Sequence, residues 1–193
     1  MKAIGLFLVF YMLCGTAMAD TNIGQDELRA ILKGKIDRLE ELTKKKRLLD
    51  AVIAQNNEKL TLDEIKRRDN EWINSGDNLP LKLSMSQGRA GISLRKIVST
   101  HQDTYNEAFL TDNQGANVAA YPLTTDYWQG DEEKWQKSFN NGNGEVYVGN
   151  IQMDESTHTN AVQISLPMIS EGKTVGVLIV GVKLDHIEAA KLK

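Results

Sequence analysis

Apolar residues recur every three or four positions over residues 26–55, and this spacing predicts one long amphipathic helix. The apolar positions are Leu28, Ile31, Leu32, Ile36, Leu39, Leu42, Leu49, Val52 and Ile53. Such a helix would be about 45 Å long, which exceeds the needs of a compact domain of this size. The basic run Lys44–Arg47 lies on it. That run is either a solvated face or a docking patch for an acidic partner.

Two shorter helices are predicted next. Thr61 followed three residues later by Glu64 forms a capping box, which predicts a helix that begins there and ends near Gly76. The segment SGDNLP is typical of a loop. Apolar spacing over residues 88–100 then predicts the third helix.

From about residue 104 to residue 184 the apolar pattern changes to that of strands. The turn Asn113–Gly115 predicts a hairpin between two strands. Residues 162–168 alternate apolar and polar, although Pro167 indicates a sheet edge or a bulge. The segment KTVGVLIVGVKL is apolar on both faces, which favours a central strand. Together the elements predict an α+β fold with an antiparallel sheet of about five strands, and a short polar helix or tail after it.

The N-terminus is predicted to be a secretory signal peptide, residues 1–19. A lysine, a short apolar run and the small-x-small site Ala17–Ala19 place the cleavage before Asp20. An uncleaved N-terminal anchor is the alternative, since the apolar run is only slightly shorter than the roughly 20 residues of a spanning helix. The remaining residues 20–193 fit a single domain. The expected location is therefore the periplasm.

Composition narrows the function. The single cysteine, Cys14, lies within the predicted signal peptide, so the mature chain has no cysteine for thiol catalysis, iron–sulfur clusters or zinc. Loss of Lys2 with the signal peptide changes the formal charge from −3 to −4. This charge gives no reason to expect nucleic acid as a partner.

The segment TTDYWQGDEEKW, residues 124–135, places two of the three tryptophans among four acids. One interpretation is structural: Asp131 caps a helix, Trp135 and Phe139 share its inner face, and Glu132 points to solvent. The other is a pocket wall, because indole and phenol rings offer a flat apolar surface and one polar donor. The residues alone leave both interpretations open.

The segments FLTDNQGANVAAYPLTTDYWQGDEEKWQKSF, GEVYVGNIQMDEST and VQISLPMISEGKTVGVLIVGVKL resemble, in this order, a Cache domain. Cache domains are the extracytoplasmic PAS-like sensor domains of bacterial chemoreceptors and sensor kinases. The resemblance covers most of the chain after residue 19. It implies a pocket between the sheet and the segment 124–135, which crosses the sheet, for an amino acid, a carboxylate or an amine. The ligand-binding residues implied are Tyr121, Thr125, Asp126, Tyr127, Trp128, Asp131, Trp135 and Asp154.

The ligand class follows from charge. If more than one of these carboxylates faces the pocket, an amine is favoured, because burying like charges together is costly without a cation. The crossing segment has no arginine for the carboxylate of an α-amino acid, although Lys134 could substitute. No cofactor is expected. A metal site at Asp154, Glu155 and His158, or glycoside hydrolysis by Asp131 and Asp154, has little support, so we expect no enzyme.

The chain departs from Cache sensors at its end, because only about nine residues follow the last strand. We therefore expect a free periplasmic module that binds a small polar metabolite and passes its state to a membrane sensor or another periplasmic protein. The alternative is a regulatory interaction protein that binds no ligand and acts through its long helix. A homodimer through that helix is compatible with both.

Overall fold

A computed structural model describes residues 23–191, so the predicted signal peptide lies outside the described part of the chain. Within it the chain forms seven α-helices and five β-strands. The helices are α1 (Gln25–Thr43), α2 (Lys46–Glu58), α3 (Leu62–Asn74), α4 (Pro80–Gln87), α5 (Arg89–Thr100), α6 (Glu133–Phe139) and α7 (Leu184–Lys191). The strands are β1 (Tyr105–Thr111), β2 (Asn117–Tyr121), β3 (Tyr147–Asp154), β4 (Thr159–Ser170) and β5 (Lys173–Lys183).

The predicted long helix is divided into α1 and α2. Lys45 has an extended backbone, with φ −67° and ψ 117°, and separates the two. The buried positions explain the division: the step from Thr43 to Leu48 is five residues. In one continuous helix that step would rotate Leu48 by about 140° away from the buried face, at 3.6 residues per turn. The interruption lets both helices bury their apolar sides against the sheet.

The five strands form one antiparallel sheet in the order β2-β1-β5-β4-β3, which confirms the predicted α+β fold. Strand β5 is central, as its apolar sequence predicts, and β1 and β2 form the predicted hairpin. Pro167 is in β4, an interior strand, but the pairing of β4 with β3 reaches only Ser165, and a register shift follows Met168. The proline therefore lies beside a locally unpaired edge, where its missing N–H costs little.

The two faces of the sheet have different partners. The main apolar core lies between one face and helices α1, α2, α5 and α7. Its strand residues include the apolar side of β4 that alternation predicts: Val162, Ile164, Leu166 and Met168. The opposite face is covered partly by α6, through a smaller cluster of Phe109, Ala120, Val177 and Ile179. The rest of that face is left open to the crossing segment.

Helices α3 and α4 form a third apolar cluster around Ile65, Trp72 and Met85, which lies beside the crossing segment. Helix α4 was not predicted, and it occupies eight residues that begin with Pro80 at the first helical turn. None of the helices between residues 23 and 191 is both long enough and apolar enough to cross a membrane.

The predicted capping box at α3 is confirmed and gives a first testable expectation. The Thr61 hydroxyl accepts from the Glu64 N–H at 3.3 Å, and the Glu64 carboxylate accepts from the Thr61 N–H at 3.1 Å. Thr61→Ala removes one of these bonds and should lower the free energy of unfolding by about 1 kcal/mol. Urea unfolding measures this, with Thr61→Ser as the control that keeps the hydroxyl. Equal loss in both variants would contradict a capping role.

Candidate functional site

A polar cavity of about 270 Å³ lies on the open face of the sheet, under the crossing segment. Its walls come from β1, β3, β4, the crossing segment and the start of α6. The lining residues are Glu107, Phe109, Thr124, Thr125, Asp126, Gln129, Glu132, Lys134, Gln152, Met153, Asp154, Glu155, Ser156 and Gln163. Five of these carry a carboxyl group and one, Lys134, carries an ammonium group.

The register of the sheet builds the floor of this cavity. Glu107 of β1 and Gln163 of β4 both pair with Gly181 of the central strand, so the three residues form one row across the sheet. The Gln163 amide donates to the Glu107 carboxylate at 2.7 Å across the glycine. A Cβ at Gly181 would lie 2.8 Å from Cγ of Glu107 and 2.2 Å from the Asn106 side-chain oxygen. The missing side chain therefore makes room for the two polar groups to meet.

Glu107 is the most deeply buried acid of the site, with 2% of its surface exposed. Burial raises the pKa of Glu107 to about 7, and the nearby Asp154 carboxylate adds to the rise. The hydrogen bonds from Gln163 and Ser156 and the Lys134 charge oppose it. An occupant with a positive charge would replace the lost hydration of Glu107 and favour its ionised form.

Asp154 is held firmly at the end of β3. One of its carboxylate oxygens accepts from the Ser156 N–H at 3.0 Å and from the Ser156 hydroxyl at 2.9 Å. The other accepts from the Asn106 amide and the Thr157 hydroxyl, each at 2.5 Å. These hydrogen bonds fix the Asp154 carboxylate beside Glu107, so they fix the position of one acidic group in the cavity.

The crossing segment is anchored from outside the sheet by α3. The Asp69 carboxylate accepts from the N–H groups of Tyr127 and Trp128 at 2.8 and 3.0 Å. The Trp72 indole donates to the Thr124 carbonyl at 3.0 Å. These bonds set the position of Asp126, which lies between the anchored residues and faces the cavity.

Asp126 and Gln129 form the roof of the cavity. The Gln129 amide donates to the Asp126 carboxylate. Burial raises the pKa of Asp126 to about 6, and the carboxylates of Glu132 and Asp69 add to the rise. The side-chain oxygen of Gln129 is buried and has no hydrogen-bond partner among the described residues. A buried acceptor without a partner is costly, so a donor supplied by an occupant would stabilise the roof.

Among residues 23–191, Lys134 is the only basic side chain that lines the cavity. Its ammonium lies 3.1 Å from the Glu132 carboxylate and 5.5 Å from the centre of the Phe109 ring. The side chain is 16% exposed. The Glu132 carboxylate therefore already compensates part of the Lys134 charge. Glu132 was expected to point to solvent, but it lines the cavity.

Of the eight residues that the resemblance implies, the structure brings three to the cavity: Thr125, Asp126 and Asp154. The other five lie elsewhere. They are Tyr121, Tyr127, Trp128, Asp131 and Trp135. The cavity is therefore walled by polar groups, and the aromatic side chains of the crossing segment serve the neighbouring apolar clusters.

Tyr127 and Trp128 turn toward α3 because of how the segment is held. Tyr127 is fully buried, and its ring lies 5.9 Å from that of Trp72. The Trp128 backbone pairs with Ala116, and its indole donates to the Gln114 carbonyl at 2.9 Å. Asp126 therefore lines the cavity, while Tyr127 enters the apolar cluster around Trp72 and Trp128 packs against that cluster.

The remaining three residues, Tyr121, Trp135 and Asp131, also lie outside the cavity. Tyr121 lies on the helix side of the sheet, where the Arg95 guanidinium is 5.1 Å from its ring centre. Trp135 stacks on Phe139 at 4.8 Å, in agreement with the structural interpretation of that part of the segment. Asp131 does not cap α6: it is exposed, and Glu132 occupies the N-cap position without a side-chain cap. The helix begins one residue later than an N-cap at Asp131 predicts.

Sequence reasoning missed Glu107, Gln129 and Gln163. Gln163 lies between Val162 and Ile164 in β4, and Glu107 precedes the apolar residues 108–110 of β1. A charged or amide side chain within a buried strand can indicate a polar cavity. Gln129 had no comparable signal, because its burial depends on the pairing of residues 115 and 129. Within residues 23–191, no group of three or more His, Cys, Asp or Glu side chains is arranged to hold a metal ion.

The fold of this chain is also found in a solved structure. No family model matches this chain, and no curated protein sequence matches it. Among solved structures it is similar to the sensor domain of the histidine kinase DctB from V. cholerae, with a TM-score of 0.52 and 15% identity. That match covers 87% of this chain and 56% of the DctB sensor-domain chain, so this chain spans little more than half the length of that sensor domain.

Two further similar structures are sensor domains. The chemoreceptor Tlp3 of Campylobacter jejuni with isoleucine bound has a TM-score of 0.44 and 14% identity, over 89% of this chain and 68% of that chain. The E. coli DcuS sensor domain has a TM-score of 0.41 and 17% identity, over 68% of this chain and 97% of that chain. The DctB match shows that this chain has the α+β fold of a sensor domain, which is consistent with the Cache-like resemblance of its sequence.

Proposed function

We propose that this chain is a periplasmic sensor module that binds a small organic cation, an amine in its ammonium form, in the cavity under the crossing segment. The observation that carries the proposal is the charge of the lining: five carboxyl groups surround about 270 Å³, with one ammonium group that already contacts a carboxylate. Like charges brought together in a desolvated site favour a cation between them. The sensor-domain fold supports a binding role, and the proposal assigns no catalysis.

Hydrogen bonding points to the same class of ligand. Carboxylates accept hydrogen bonds and do not donate, and the free Gln129 oxygen is also an acceptor. An ammonium group offers up to three donors in a small volume, which suits these acceptors. At roughly 30 Å³ per water-sized group, the cavity holds about nine non-hydrogen atoms. Short amines and diamines have this size.

Other ligand classes fit this lining less well. A carboxylate would face five acids, with only Lys134 to attract it. A zwitterionic amino acid would place its ammonium at the acids and would have to compete with Glu132 for Lys134. Amines therefore rank above amino acids, and amino acids above simple carboxylates.

The bound state would be passed to a partner, a membrane sensor or another periplasmic protein. The sensor-domain fold of DctB supports this role, since that domain belongs to a histidine kinase. Dimerisation through the segment predicted as one long helix, which α1 and α2 now share, stays a prediction that sedimentation measurements can check.

Ligand binding is tested by thermal unfolding with matched small molecules. Propylamine, ethanolamine and putrescine are compared with propionate, succinate and glycine. A bound amine at a hundredfold excess over Kd should raise stability by about 2.7 kcal/mol. Asp126→Asn should weaken binding about tenfold, because one carboxylate of the cavity is lost. Asp131→Asn is the matched control, since Asp131 is exposed and does not line the cavity.

Two outcomes would contradict the proposal. Stabilisation by the carboxylates and not by the amines would assign the opposite charge to the ligand. Equal weakening by Asp126→Asn and Asp131→Asn would show that the cavity is not the binding site.

A further inference from the structure

A second groove, of about 650 Å³, lies on the other side of the sheet, where α1, α2, α5 and α7 meet beside the start of β1. Its lining has an apolar part and a basic part, with the hydroxyl groups of Ser93, Thr100 and Thr104 besides. The apolar part consists of Leu39, Leu42, Leu48, Ile97 and Tyr105. The basic part consists of Lys35, Arg38, Lys45, Lys46, Arg47 and Lys96, with His101 and His186 at one end. We call this the basic groove.

The charge of the basic groove is one-sided. Among residues 23–191, six Lys and Arg residues and no Asp or Glu residue line it, although the chain has a formal charge of −3. Three of the cations, Arg38, Lys45 and Lys96, form no ion pair within residues 23–191. Like charges gathered over a shared groove repel one another, and an anion between them would relieve that repulsion.

The start of α2 adds to this positive field. Lys45, Lys46, Arg47 and Leu48 all line the groove, so the N-terminus of α2 lies at its rim. Its first turn has no acidic residue, and its N-cap makes no side-chain hydrogen bond. Helix α3, by contrast, begins with a capping box and two acids. An uncapped helix start is a favourable place for negative charge.

The floor determines what kind of anion fits. Leu39 and Leu48 are almost fully buried and Tyr105 nearly so, while Leu42 and Ile97 are half-buried and present apolar surface. A small hydrophilic anion would leave this surface in contact with water. The volume lies within the range of about 300–1,000 Å³ that small-molecule sites occupy. An apolar floor with a cationic rim complements a molecule that has an aliphatic chain and an anionic head.

We propose that the basic groove binds a long-chain aliphatic carboxylate of the fatty-acid type, with its chain on the apolar floor and its head among Arg38, Lys45 and Lys96. This site is separate from the amine cavity, because the two lie on opposite faces of the sheet. The proposal does not depend on the proposed amine function, and either can fail alone.

The test is a calorimetric titration of the protein with dodecanoate below its micelle concentration. We expect saturable binding, which the double variant Arg38→Glu/Lys45→Glu weakens at least tenfold. Both positions are exposed, so the fold should tolerate the change. The matched control is Lys137→Glu/Lys173→Glu, which alters the net charge equally at exposed sites outside the groove. Octanoate should bind at least tenfold more weakly than dodecanoate, because fewer methylene groups reach the floor.

Three results would overturn the proposal. Dodecyltrimethylammonium could bind as tightly as dodecanoate, which would leave the cationic rim without a role. Both double variants could weaken dodecanoate equally, which would indicate a general charge effect. An acidic amphipathic peptide could bind while dodecanoate does not, which would make the groove a protein-docking surface. Asp126→Asn should leave dodecanoate binding unchanged. Failure of the amine proposal can therefore be distinguished from failure of the fatty-acid proposal.

Discussion

Glu107→Gln should make the ligand-free protein more stable at pH 8, by about 3 kcal/mol, while it weakens amine binding at least tenfold. The stability gain follows from the pKa of Glu107, which rises from 4.5 to about 7 on folding. Each pKa unit corresponds to about 1.4 kcal/mol between folded and unfolded states. Glutamine has no charge to desolvate and keeps an oxygen that can accept from Gln163.

The sign of the pH dependence is fixed by the raised pKa. Below pH 4.5 the carboxyl is protonated in both states, and ionisation has no effect on stability. Between pH 4.5 and 7 it ionises in the unfolded state first, so the free energy of unfolding falls as the pH rises. Above pH 7 the loss is complete. The advantage of Glu107→Gln should therefore grow over this window and stay constant above it.

Urea unfolding at pH 4.5 and pH 8 measures this effect. The variant and the natural protein should differ by less than about 0.5 kcal/mol at the lower pH and by about 3 kcal/mol at the higher one. Glu40→Gln, an exposed position on α1, is the control and should show little change at either pH. A Glu107→Gln protein that is less stable at pH 8 would contradict the buried, desolvated state of this acid. Amine binding by the natural protein should strengthen as the pH rises through 7.

Trp72→Ala should lower the free energy of unfolding by about 3–5 kcal/mol, the usual cost of emptying a tryptophan site in a core. Trp72 is fully buried at the centre of the α3–α4 cluster, and its ring contacts both Tyr127 and the Lys82 ammonium. The variant also leaves the Thr124 carbonyl without its indole donor. Because Thr124 lines the amine cavity, binding should weaken as well.

Thermal and urea unfolding check this expectation, and two variants separate its causes. Ile73→Ala, next in sequence and 57% exposed, should change stability by less than about 0.5 kcal/mol. Trp72→Phe retains most of the packing and removes the indole donor, so it should lower the free energy of unfolding less than Trp72→Ala does. If the Ile73 and Trp72 variants were equally stable, α3 would not anchor the crossing segment as described.

Local pattern and capping predicted most of the fold. The alternation in β4, the apolar run in β5, the Asn113–Gly115 turn and the Thr61 capping box each have one dominant physical cause, and each element is present. The division of the first helix was harder to predict, because it depends on which of several apolar positions the sheet buries. Helix α4 was missed for a related reason: its eight residues are too few to show a period, although Pro80 and Gly88 mark its ends.

The site was less predictable than the fold, because it depends on contacts between distant parts of the chain. Acids in a cavity were expected, and Asp126 and Asp154 line one. The aromatic side chains do not line the cavity, because Asp69 and Trp72 of α3 hold the segment so that Tyr127 and Trp128 pack in the apolar cluster of α3 and α4. Glu107 and Gln163 are 56 residues apart and meet only through the register of β5. No local pattern around either residue specifies that meeting.

The central strand serves both binding regions at once. On one side of β5, Gly181 separates the polar side chains of the cavity floor, and on the other Val180 and Val182 contact the helices. The backbone of β5 alone thus separates the acidic cavity from the layer of helices. A shift of the backbone at Gly181 would therefore move residues on both faces of the sheet, which would couple the contents of the cavity to the packing of the helices.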